Sequence, residues 1–154
     1  MRFTPIPGLI IGCATLAACT TQHVSYLLEC RGSQNFEWSG TSARSLTTVY
    51  YRIDESRRVI FGQTPNGRFY NVCRTNCTQI EFSPDAISWT DTSDDGEGRT
   101  TRINSHLARN SGELTIRTDS VQRTERGLET MLHGESFFHC RKAERVQAIA
   151  ALAP

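Results

Sequence analysis

Along most of this chain, large apolar residues recur at every second position in short runs. Gly, Asn, Asp and Pro punctuate the gaps between them. The clearest run is residues 45–54, where Val49, Tyr51 and Ile53 alternate with Thr48, Tyr50 and Arg52. That is the period of a strand with one buried face. The same reading predicts strands over residues 24–30, 58–62, 68–74, 79–83, 86–91, 100–108, 113–121 and 130–140. Asn66-Gly67 and Asn110-Ser111-Gly112 mark tight turns between them. Residues 31–44 are rich in Gly, Ser, Asn and Thr and read as a loop, with Phe36 and Trp38 as its only large apolar groups. Roughly eight or nine strands at such spacing predict an all-β domain, an antiparallel barrel or sandwich. Helical spacing surfaces only near the end, where Ala143, Val146 and Ala150 could share a face. Residues 142–154 are therefore expected to be a tail or a short helix.

The N-terminus breaks this pattern. Met1-Arg2 precedes an apolar run from Ile6 to Ala18, the layout of a secretory signal. The run is too short to span a bilayer and contains Pro7 and Gly8. It ends in Leu16-Ala17-Ala18-Cys19, which resembles the lipobox of bacterial lipoproteins. The resemblance implies cleavage before Cys19 and a diacylglycerol on its thiol, with further acylation such as palmitate. Two or three acyl chains hold a protein at a membrane without a transmembrane helix. The expected organisation is a signal peptide over 1–18, a lipidated tether over 19–23, one β domain over 24–141 and the tail. Thr20 follows the lipidated position, and absence of Asp there implies the outer membrane, facing the periplasm.

About 136 residues remain after the signal, enough for one domain with a genuine core. Net charge is +1 for the whole chain, which argues against nucleic acid as a partner and against a polybasic hold on anionic lipid. Four cysteines are left once Cys13 departs with the signal and Cys19 is acylated. An even set in an exported chain reads as disulfides. The expected pairs are Cys30–Cys140, tying the first strand to the last, and Cys73–Cys77, closing a short Arg-Thr-Asn turn. A four-thiolate zinc site would lack its Cys-x-x-Cys pair, so neither a metal nor a cofactor is expected.

Asp91, Ser93 and Asp95 with Gly96 copy the start of a calcium loop, but Arg102 stands where a bidentate Glu belongs. Residues 91–98 are thus read first as a solvated hairpin turn. His133 and His139 share a strand face yet lie ~20 Å apart when extended, too far to chelate one ion. No nucleophile elbow, zinc-protease helix or phosphate-binding glycine loop appears. The expectation is a non-enzymatic protein of binding or structural role, held at a membrane by lipid and meeting a partner in the envelope. Cys30-Arg31-Gly32, Tyr51-Arg52-Ile53-Asp54 and the Asn110–Leu114 turn are similar to small uncharacterised proteobacterial lipoproteins, a resemblance that carries no activity. Gly67-Arg68-Phe69-Tyr70 also resembles the Gly-x-x-Tyr loop of membrane-bound inhibitors of C-type lysozyme. That likeness implies a lysozyme inhibitor as an alternative. A barrel enclosing a small apolar ligand is another.

Overall fold

The computed structural model describes residues 25–73, 79–125 and 127–143. Over these the chain forms nine strands and no helix: β1 (Ser25–Trp38), β2 (Thr41–Asp54), β3 (Val59–Gln63), β4 (Phe69–Asn71), β5 (Gln79–Phe82), β6 (Ala86–Asp94), β7 (Arg99–Ala108), β8 (Glu113–Thr124) and β9 (Gly127–Lys142). All belong to one antiparallel sheet in the order β4-β3-β2-β1-β9-β8-β7-β6-β5, curled into a half-barrel. The expected all-β architecture is what the chain adopts, as a single rolled sheet and not as two stacked ones.

Curling follows from where the apolar positions fall. On β9, Gly134, Ser136, Phe138 and Cys140 are buried and alternate with Glu135, Phe137, His139 and Arg141, which face outward. The buried set continues across the register: Phe138 lies opposite Leu114, Leu114 opposite Leu107, and Leu107 opposite Ile87. A flat sheet would leave this row in water; rolling it inward buries it against β2 and β3. The Tyr51 ring on β2 meets the Trp89 ring on β6 at 5.6 Å between centroids, tilted by 60°, a favourable arrangement for aromatic pairs. Ile53, Ile60, Ile87 and Leu114 are fully buried in the resulting core. Removing one such side chain costs ~2–5 kcal/mol in a typical core.

Serines fill the narrow places. Trp89 lies opposite Ser105, Ser105 opposite Ile116, and Ile116 opposite Ser136. Large and small side chains therefore alternate around the inner face, as a small barrel requires. The two edges approach each other near the β2–β3 turn. Arg58 there donates a hydrogen bond to the Ile80 carbonyl at 3.4 Å and stacks over the Phe82 ring at 5.6 Å.

The predicted loop over residues 31–44 is corrected. Those residues are the distal halves of β1 and β2, paired in continuous register from Arg31↔Thr48 to Trp38↔Thr41. Their turn is Ser39-Gly40, both at positive φ, the backbone of a tight hairpin. Strand β9 pairs the other side of β1 up to Glu37↔His133. Cross-strand bonding on both flanks, and not apolar content, makes this polar stretch a strand.

Candidate functional site

The strand ends nearest Ser25 and Lys142 carry the most developed cluster of polar chemistry among the described residues. Three separated parts of the chain converge there: the start of β1, the turn after β2, and the turn between β7 and β8. Glu55 is the hub. Its Oε1 accepts a hydrogen bond from the Tyr26 hydroxyl at 2.8 Å and another from Arg109 Nη1 at 2.7 Å. The backbone places Arg109, since its N–H donates to the Asp85 carbonyl at 2.8 Å. Lys142, opposite Leu28 at the end of β9, sets its ammonium 4.8 Å from the centre of the Tyr26 ring, within cation–π range.

These groups rim a pocket of about 380 Å³ whose floor is Leu28, Leu107 and Cys140. The Asn110-Ser111-Gly112 turn closes one side. The Gly112 N–H donates to the Ala108 carbonyl, and the Cys140 N–H donates to the Gly112 carbonyl, so this wall is tied to β9. A concave site with an apolar floor and a few convergent polar groups has the form that small-ligand sites take.

Electrostatics keep the cluster in defined protonation states. The hydrogen bond from Arg109 holds the Glu55 carboxyl below its ordinary value, opposed by partial burial and helped by Tyr26 and Lys142. Burial, then the carboxylate of Glu55, pushes the Tyr26 phenol well above its ordinary value, so it stays a donor. Arg109 is raised by its bond to Glu55. Because the folded-state value of Glu55 is depressed, its contribution to stability is complete above the unfolded-state value and is lost as pH falls through the folded one. Glu55→Gln should therefore lower stability by about 1 kcal/mol at neutral pH, the scale of a partly exposed ion pair. The gap between variant and native protein should close on acidification below about pH 4. Melting temperatures of both proteins across pH 3–8 check this; a gap independent of pH would refute it.

The residues singled out in the sequence fall elsewhere. Cys30 and Cys140 are directly opposite in register and form a disulfide. Cys73 is also disulfide-bonded; Cys77 lies outside the described residues, as do Cys19 and residues 144–154. Tyr70 is half-buried on the inner face, its ring lying where a Gly62 side chain would be, 3.1 Å from that position. It is part of the inner packing and not a loop side chain offered to a partner. In the acidic stretch, Asp91–Asp94 continues β6. Asp94 Oδ1 accepts from the Gly96 N–H, while Asp95 Oδ1 accepts from the Glu97 and Arg99 N–H groups. These carboxylates cap a hairpin turn. No group of three His, Cys, Asp or Glu among the described residues is placed to hold a metal ion. His133 pairs with Asp119 at 2.7 Å and His106 with Ser88 at 3.0 Å, both on the outer surface.

Sequence reasoning did not single out Tyr26, Glu55 or Arg109. Glu55 is 29 positions from Tyr26 and 54 from Arg109, and no local motif links them. The one available signal was compositional: Lys142 is the only lysine among 17 basic residues. Compared with known proteins, the chain matches no family model, no curated protein and no solved structure.

Proposed function

We propose that the protein is a lipid-anchored cell-envelope lipoprotein that acts by binding, and not by catalysis. The observation that carries this reading is the pocket and its position. It is built beside Ser25, where the described part of the chain starts. The stretch from Cys19 to Ser25 spans at most ~20 Å even when fully extended. Acylation of Cys19 would hold the pocket close to the membrane surface, where a ligand passing to or from the envelope is met. The Cys30–Cys140 disulfide is consistent with an oxidising compartment. Tyr26 and Arg109 are committed to each other through Glu55, which suits holding a ligand better than transferring its protons.

Cys19→Ala tests the anchor. The native protein should fractionate with membranes and begin at an acylated Cys19 by mass spectrometry. The variant should appear in the soluble fraction, since the energy of two or three buried acyl chains is removed at once. Membrane fractionation unchanged by the substitution would refute the lipid anchor.

A further inference from the structure

We infer that the pocket recognises an oxyanion, a carboxylate or phosphate, attached to a small apolar body. The inference rests on the binding reading of the pocket and is independent of the anchor. Charge is the first argument. Two cations, Arg109 and Lys142, line the pocket against one carboxylate, Glu55. That carboxylate is already engaged by Arg109 and Tyr26 through a single oxygen. Lys142 makes no ion pair within 4 Å among the described residues; it rests on the face of the Tyr26 ring and attracts Glu55 only at longer range. The site thus holds cationic donors in excess of the anion the protein supplies, and an ionised oxygen is the group that satisfies them most strongly.

Shape supplies the second argument. The floor of Leu28, Leu107 and Cys140 offers nothing to a fully hydrated ion. It does suit a short alkyl or ring body, whose burial adds roughly 25 cal/mol per Å². A volume of about 380 Å³ lies near the lower end for small-molecule sites. A bare cation is disfavoured by Lys142, and a large polar ligand such as a glycan strand by the apolar floor.

The test uses the full Cys19→Ala chain, purified from whichever fraction it occupies, so that neither detergent nor failure of the anchor enters the result. Octanoate, octanol and inorganic phosphate are titrated by calorimetry. Octanoate should bind at least about tenfold tighter than octanol, the scale of one charge-assisted hydrogen bond. Adding Lys142→Gln should reduce octanoate binding about tenfold towards that of octanol and leave octanol unchanged. Lys142 is exposed, so this variant keeps the fold, and its melting temperature verifies that. Lys142-dependent binding of phosphate as well as octanoate would support the site and identify the oxyanion as sufficient. Binding of octanoate with none of phosphate would support it and assign the apolar body a necessary part. Equal affinity for octanoate and octanol, no binding of any probe, or octanoate binding indifferent to Lys142→Gln would overturn the inference.

Discussion

Replacing Cys30 and Cys140 together by alanine should lower the unfolding free energy by about 4–5 kcal/mol. The bridge joins positions separated by 110 residues, and closing a loop of that length removes ~4.7 kcal/mol of chain entropy from the unfolded ensemble. Both sulfurs also sit in the core, Cys30 at 0 % exposure and Cys140 at 6 %, so the double variant loses packing as well. The whole stability of a domain this size is only about 5–15 kcal/mol. The variant should therefore sit close to its unfolding threshold, with a strongly lowered urea midpoint and a steeper dependence on urea, because the unfolded chain without the cross-link exposes more surface. An unchanged midpoint would mean that strand pairing between β1 and β9 alone supplies what the covalent bond is here assigned.

Gly32→Ala should be comparably damaging, for a reason of space. Gly32 lies on β1 two residues beyond Cys30 and opposite Phe138 of β9. A Cβ built there falls 1.9 Å from the Phe137 carbonyl oxygen and 2.6 Å from the Phe138 Cα. Both are backbone atoms, held by the ladder and by the disulfide beside them, so no side chain can rotate away. The strands must separate at the centre of the sheet, and the expected loss is about 3 kcal/mol or more. Gly40→Ala is the control. Its Cβ meets nothing within 4 Å, and only its φ of +77° is unfavourable; the expected cost is about 1 kcal/mol. Thermal melts of the two variants should differ clearly, and equal melting temperatures would refute the steric account.

Legibility of the fold from sequence varied with the source of each strand's stability. Strands that bury one face announced themselves, as Val49, Tyr51 and Ile53 did on β2. The distal halves of β1 and β2 did not, because Ser, Thr, Asn and Arg carry no periodic signal when the pairing is held by neighbours. The Ser39-Gly40 turn was there to be seen, yet only Phe36 and Trp38 on one flank alternated, and Thr41 to Ser45 on the other did not. The pocket was illegible for a different reason. Tyr26, Glu55 and Arg109 become neighbours only when strands far apart in sequence come together at one end of the roll, and spacing along the chain holds no trace of that.

The strand order has a consequence for how the chain finds its fold. Strands β1 to β3 each pair with their successor, and so do β5 to β8, while β4 and β5 form the two edges. Both halves are meanders of local hairpins, whose closure costs little entropy. One pairing alone is distant: the first strand against the last. Nearly all the topological cost of folding is thus concentrated in a single zippering event at the middle of the sheet, after two fast local ones. The first and last of the described strands must meet there before either half has a covered face. Until that seam closes, two half-formed sheets each expose an apolar surface, and the bond between Cys30 and Cys140 makes the closure permanent once it has occurred.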